Sequence, residues 1–206
     1  LPLVYTSTPS VVFNGKDILG ADENLPYTKK KYCHYVVSKI KAESHVLKYA
    51  REKKIRAISL RPHLIWGPGD PHILPRLRAQ AKNTIIQVGD AKNLVDIIYV
   101  KNAAQAHLLA LESLLASDTF SGKSYFLGQE SPIFLWKFIE QLLSACGEQP
   151  RKKVMPFGVS YFLGWCCELY YKYTPWLKSK EPPLTRFVAL QLAKSHYFSH
   201  SNIIKD

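Results

Sequence analysis

Short apolar runs alternate with longer helix-favouring stretches along this chain. Leu3-Val4-Tyr5, closed by Thr6-Ser7, reads as a buried strand over 3–7. Asn14-Gly15 and Pro26 mark the loop after it. Residues 32–53 contain neither Pro nor Gly and predict a helix. A second apolar strand over 55–60 ends at Arg61-Pro62, ahead of the loop Gly67-Pro68-Gly69-Asp70-Pro71. A helix over 73–82, a strand over 85–88 closed by Gly89-Asp90, and an extended piece over 95–99 follow. The Ala/Leu-rich stretch 102–115 predicts a helix, 123–127 a strand and 135–146 a further helix. Strands alternating with helices predict an α/β fold with a doubly wound parallel sheet.

The chain changes character beyond Pro150. Residues 157–177 carry Phe157, Tyr161, Phe162, Trp165, Tyr170, Tyr171, Tyr173 and Trp176, interrupted by Gly158, Gly164, Glu168 and Lys172. The length approaches that of a membrane span. A charge near the middle of a span costs about 2.5–3.5 kcal/mol, which argues against crossing. A helix packed on a substrate-binding region is expected, with peripheral membrane contact or a subunit contact as alternatives.

Composition bounds the picture without changing it. A length of 206 residues suits one domain with room for a small appendage. Hydrophobic residues at 47% and charged residues at 21% are globular proportions and exclude a disordered tail. The net charge of +12 is spread over short runs such as Lys29-Lys30-Lys31 and Arg151-Lys152-Lys153, which read as solvated surface. No nucleic-acid motif accompanies them, so no nucleic-acid partner is expected. Cys33, Cys146, Cys166 and Cys167 form no CxxC pair. That argues against a metal site or a disulfide framework and for a reducing, cytoplasmic setting. Leu1 is not Met and stands just before a strand pattern, so the sequence is expected to open inside a fold.

The chemistry centres on Tyr35 and Lys39, which lie four apart in a predicted helix and so share one face. Hydride transfer at a carbonyl carbon requires a proton to move at the oxygen. A tyrosine hydroxyl can move it, but its ordinary pKa is about 10. A nearby ammonium favours tyrosinate and brings that value toward working pH. Upstream, Thr6-Ser7-Thr8-Pro9-Ser10 closes the first strand. A hydroxyl there could steady charge on a substrate oxygen, since ligands bind at strand C-termini in open α/β sheets. Taken alone, each of these could be a chance spacing or an ordinary polar turn.

Five segments occur in one order: 5–11 (YTSTPSV), 35–39 (YVVSK), 61–71 (RPHLIWGPGDP), 89–100 (GDAKNLVDIIYV) and 102–111 (NAAQAHLLAL). Together they resemble the extended short-chain dehydrogenases, in the branch of the 3β-hydroxysteroid dehydrogenase family, over essentially all of the chain. Two groups within it look similar. The sterol-4α-carboxylate 3-dehydrogenases share the 61–71 pattern and the Asn93-Leu94-Val95-Asp96 run. The 2-alkyl-3-oxoalkanoate reductases share 5–11, the second half of 61–71, and 181–187 (EPPLTRF), and resemble the chain slightly more.

The resemblance implies Tyr35 as general acid/base, Lys39 as the lysine that lowers its pKa and holds the nicotinamide ribose, and Thr8 as the catalytic hydroxyl, with Ser7 its rival. It implies cofactor contacts from Ser7, Tyr35, Lys39 and the run Pro62-His63-Leu64-Ile65, with NAD or NADP as cofactor. A small lipid-like acid or sterol is the implied substrate, touched by Thr8 and Pro9. His63 could be a second acid, but a histidine in a turn reads first as structural. Arg76, Arg78 and Arg186 are candidates for a substrate carboxylate, and each also reads as surface charge. A homodimer through the helix bearing Tyr35 and its neighbour is implied as well.

One departure limits the picture. The dinucleotide loop GxxGxxG is absent, and Gly15 and Gly20 do not form it. In the family it precedes the first segment matched here, so this stretch alone is not expected to hold NAD(P) well. The expected layout is the second part of a Rossmann-like domain over 1–127, with substrate-loop segments interleaved at about 67–95. A mostly helical substrate-binding region over 128–206 completes it. An epimerase or dehydratase of nucleotide sugars on the same scaffold is the competing enzymatic reading. A non-catalytic binding module is the third, disfavoured by intact Tyr35, Lys39 and Thr8.

Overall fold

The computed structural model describes residues 2–71, 73–81, 84–174, 176 and 182–206. Its first half runs β1 (Pro2–Thr6), a 3-10 turn (Pro9–Val11), β2 (Ile18–Ala21), α1 (His34–Arg51), β3 (Arg56–Pro62), β4 (Ile65–Trp66), α2 (Ile73–Ala81) and β5 (Thr84–Val88). The second half runs β6 (Leu94–Val95), β7 (Ile98–Tyr99), α3 (Val100–Ala116), β8 (Ser124–Leu127), β9 (Ile133–Phe134), α4 (Leu135–Ala145), β10 (Arg151–Met155), α5 (Phe157–Tyr173), α6 (Arg186–Ala193), β11 (His196–Phe198) and α7 (Ser201–Lys205).

The strand at 56–62 is buried along almost its whole length, which suits the centre of a parallel sheet covered on both faces. The sheet order is β1-β3-β8, all parallel, with Val4 opposite Ile58 and Ser59 opposite Ser124. Helix α1 packs against β3, while α3 packs against β1 and β3. Ile58, Leu60, Ile98, Leu114, Tyr125 and Leu127 form the cluster beneath α3. Leu60 and Leu114 are fully buried, each contributing roughly 1.5–3 kcal/mol. The α/β class and the parallel sheet are those the hydrophobic pattern predicts.

Further strands pair outside that sheet. β5 pairs in parallel with β10, and a second sheet has the order β2-β11-β6-β9. The chain beyond 128 therefore returns to pair with 18–21, 84–88 and 94–95. Among the described residues it contributes three strands as well as four helices. β2, β10 and β11 are among the strands that carry no clear signal in the sequence. Residues Arg151–Val154 are all exposed in β10, so backbone pairing holds the strand while its three basic side chains stay in solvent. β2 contains Gly20 and β11 has three residues, too short for periodicity. The predicted ends at Lys82 and Leu177 lie outside the described residues.

Helix α5 meets α6 closely. A Cβ at Gly164 would lie 2.7 Å from the Thr185 carbonyl carbon, so this crossing requires glycine.

Candidate active site

The C-terminal ends of β1 and β3 open onto one cleft of about 490 Å³. Thr6, Ser7, Thr8 and Ser10 supply one wall, Tyr35 and Lys39 the rim from α1, and residues 62–71 the opposite wall. Ile73, Val100 and Gln191 complete it. Leu64, Ile65, Trp66, Ile73 and Val100 make much of this lining apolar.

Helix geometry delivers Tyr35 and Lys39 to the rim as their spacing predicts. The Tyr35 ring is 51% exposed, free to meet a ligand. Lys39 Nζ donates to the Thr6 carbonyl at 2.8 Å and sits 6.0 Å from the Tyr35 ring centroid. The lysine thus ties α1 to the end of β1 while placing its charge beside the phenol.

Thr8 lies in the wall, and its Oγ1 caps the turn at Pro9–Val11, accepting from Ser10 N–H at 3.3 Å. It also donates to Ser10 Oγ at 3.3 Å. Ser10 reaches the cleft although the sequence reading did not single it out. Its spacing of two from Thr8 was the available signal. Ser7 is buried, and its hydroxyl donates to Glu43 Oε2.

Gly67 and Leu64 shape the opposite wall. Gly67 has φ +146°, and a Cβ there would lie 2.6 Å from Val100 Cγ1. Leu64 adopts φ +37°, a left-handed conformation that costs a branched residue roughly 1–3 kcal/mol. Ile98 N–H donates to the Leu64 carbonyl at 3.3 Å, and His63 N–H to the Leu127 carbonyl at 3.2 Å, pinning the turn from two strands.

His63 is buried, and its Nε2 lies 2.6 Å from His196 Nδ1. His196 Nε2 lies 3.0 Å from the Gln191 carbonyl, which can only accept. The proton of His196 is therefore on Nε2, and His63 donates from its own Nε2 to the bare Nδ1. Burial first, and the neighbouring His196 second, hold the His63 pKa well below its ordinary value. Burial also lowers that of His196, against an upward pull from the Gln191 carbonyl, Asp96 and Asp17. His63 is a fixed, neutral ring in the cleft wall.

Three expected substrate contacts are not brought to the cleft. Pro9 is buried at the first position of its 3-10 turn, where a fixed φ is favoured. Arg186 donates through Nε and through its backbone N–H to the two oxygens of Glu168, each at 2.7 Å, which anchors α6 to α5. Arg76 is exposed on α2 and does not line the cleft. The acidic lining residue is Asp70, whose carboxylate caps α2 by accepting from Ile73 and Leu74 N–H at 3.1 and 2.7 Å.

A parallel α/β sheet with Tyr35 and Lys39 at the strand ends is a Rossmann-like scaffold in its general form. The profile of the 3-beta hydroxysteroid dehydrogenase/isomerase family matches residues 2–157, and the chain belongs to that family. Two 2-alkyl-3-oxoalkanoate reductases are similar. That of Stenotrophomonas maltophilia is 41% identical over 202 residues, covering 96% of this chain and 60% of its own. That of Shewanella oneidensis is 40% identical over 212 residues, covering 99% and 54%. The decarboxylating sterol-4-alpha-carboxylate 3-dehydrogenase of Mus musculus is 32% identical over 200 residues, covering 96% and 55%.

Among solved structures, that of gox2253 superposes with a TM-score of 0.69 at 24% identity, covering 99% of this chain and 59% of the other. The NAD complex of Thermus thermophilus UDP-glucose 4-epimerase gives 0.57 at 22% identity, covering 75% and 51%. At these identities the likeness establishes the fold. The chain spans between 54% and 60% of the length of these curated relatives.

Proposed function

We propose that the whole protein is an NAD(P)-dependent oxidoreductase that interconverts a 3-hydroxy and a 3-oxo group on a lipid-like acid or sterol. The observation carrying this reading is the meeting of Tyr35, Lys39 and Thr8 around a cleft with an apolar wall. The names of the similar reductases and sterol dehydrogenases support the substrate class.

The residues present fit the nicotinamide end of a dinucleotide. Lys39 offers an ammonium for ribose hydroxyls, and the backbone of 62–65 lines the opposite wall. When bound, such a cofactor supplies or accepts the hydride. The chain's own groups handle the proton. The Tyr35 hydroxyl gives it to the substrate oxygen in reduction and takes it in oxidation. Lys39 keeps a positive charge beside that transfer. Thr8 turns its hydroxyl from Ser10 to the substrate oxygen, exchanging a long bond for one to developing charge. The 64–66 run and Val100 exclude water. In the full-length protein, Tyr35→Phe is expected to abolish turnover while leaving fold and cofactor binding intact; retained turnover would refute the assignment.

We further infer that residues 18–21, 65–99 and 133–198 together build the substrate region around the Rossmann-like core, since their strands interpair. Among the described residues no helix is long and apolar enough to cross a membrane. Helix α5 nonetheless exposes Val159, Phe162, Leu163, Trp165, Tyr170 and Tyr173, and Glu168 on it is committed to Arg186. The preceding strand exposes Arg151, Lys152 and Lys153. Exposed aromatics beside cations suit a helix lying on an anionic lipid surface, so the reading includes peripheral membrane contact. Exposed Leu108, Leu109 and Leu115 on α3 support a homodimer through α3 and α1.

A further inference from the structure

Tyr35, Lys39 and Glu43 form one stripe along α1, each four residues after the last. The first two reach the cleft. Glu43 instead points inward and is 0% exposed. Its Oε2 accepts the Ser7 hydroxyl, and its Oε1 accepts from Arg61 Nε at 2.9 Å and Nη2 at 2.7 Å. Arg61 is itself 3% exposed, its guanidinium carbon 5.0 Å from the Phe126 ring centroid and 5.8 Å from that of Tyr27, and among the described residues its Nη1 has no hydrogen-bond partner.

A buried ion pair of this kind adds little net stability over a well-packed apolar pair, because desolvation offsets the attraction. Stability is therefore a weak account of it, and position is a better one. Ser7 immediately precedes Thr8. Arg61 immediately precedes the run 62–65, which contains the left-handed Leu64. One carboxylate on the catalytic helix thus grips both walls of the cleft at their roots.

We propose that Glu43 is a positioning residue for the reaction: by holding Ser7 and Arg61 together it sets Thr8 and the cofactor-facing run 62–65 against Tyr35 and Lys39. The proposal rests on the reading of Tyr35 as acid/base. Misplacement of a reacting group by about 1 Å can cost on the order of a hundredfold in rate.

The test uses the full-length protein, with a 2-alkyl-3-oxo acid and a 4α-carboxysterol as probes. Glu43→Gln keeps shape and removes charge. It is expected to lower kcat on the order of 10–100-fold, with a much smaller change in KM. Because a lone change leaves Arg61 unpaired, Glu43→Met/Arg61→Met is made beside it. This double variant is expected to melt near the native temperature yet keep the lowered kcat, which a purely structural role would not produce. Native kcat in the well-folded double variant overturns the proposal. Should the double variant not fold, native kcat in Glu43→Gln overturns it. A parallel Tyr35→Phe separates the two readings. If that variant stays active, the active-site assignment fails. If it is dead while the Glu43 variants turn over normally, only the positioning role fails.

Discussion

Acidification should unlock the wall of the cleft at the His63–His196 pair. Both rings are buried and both are held below the ordinary histidine pKa of about 6.5. A group whose folded-state pKa is depressed binds fewer protons in the folded than in the unfolded state. Stability therefore rises with pH through this range, is fully present above about 6.5, and is lost as pH falls below it. For a ring that stays neutral in the folded protein, the loss between pH 7.5 and 5.5 is on the order of 1 kcal/mol. His63, held well below its ordinary value, is expected to contribute the larger share. His196 contributes less, because the Gln191 carbonyl, Asp96 and Asp17 pull its pKa back up. The pair together should account for on the order of 1–3 kcal/mol. Urea unfolding of the full-length protein at pH 7.5, 6.5 and 5.5 gives the wild-type slope. The same series on His63→Gln/His196→Gln isolates the pair, since the remaining histidines are common to both. The double variant should lose less stability on acidification by the stated amount. Parallel pH dependence in the two proteins would show that the pair is not neutral in the fold, and the tautomer assignment would fall with it.

Gly67→Ala sets a Cβ against Val100 at an unfavourable φ; it should lower the melting temperature by the equivalent of roughly 1–3 kcal/mol and raise KM, and a native melting curve with native KM would contradict the close approach. Phe162→Asp/Trp165→Asp should lose most of its binding to anionic vesicles in co-sedimentation, while binding to zwitterionic vesicles starts weak and stays so. Equal sedimentation of wild type and variant would remove the α5 membrane contact. Thermal-shift screening should show stabilisation by 3-oxo acids or sterol carboxylates. Stabilisation by UDP-sugars alone would transfer the protein to the epimerase reading.

Tyr35 and Lys39 were legible because helical spacing is local. A stretch without Pro or Gly predicts the helix, and a separation of four then places both side chains on one face. Thr8 was legible as a hydroxyl at a strand end, though not its tie to Ser10. The arginines were misleading for the opposite reason. A cation in sequence does not reveal its partner, and Arg186, a candidate for a substrate carboxylate by its charge, has Glu168.

The sequence by itself determined the parallel α/β class and the shared helix face of Tyr35 and Lys39, since each depends on periodicity or on spacing within a few residues, and the five ordered segments determined the family. Tertiary structure alone decided which polar groups are buried and with whom. Ser7 meets Glu43 across 36 residues, Arg61 meets Glu43 across 18, and His63 meets His196 across 133. Such pairings leave no periodic trace, because the cost of burying a polar group is relieved by whichever distant partner the fold supplies. The strand at 151–155 was hidden for a related reason: its ladder is backbone hydrogen bonding, which is indifferent to the exposed basic side chains along it.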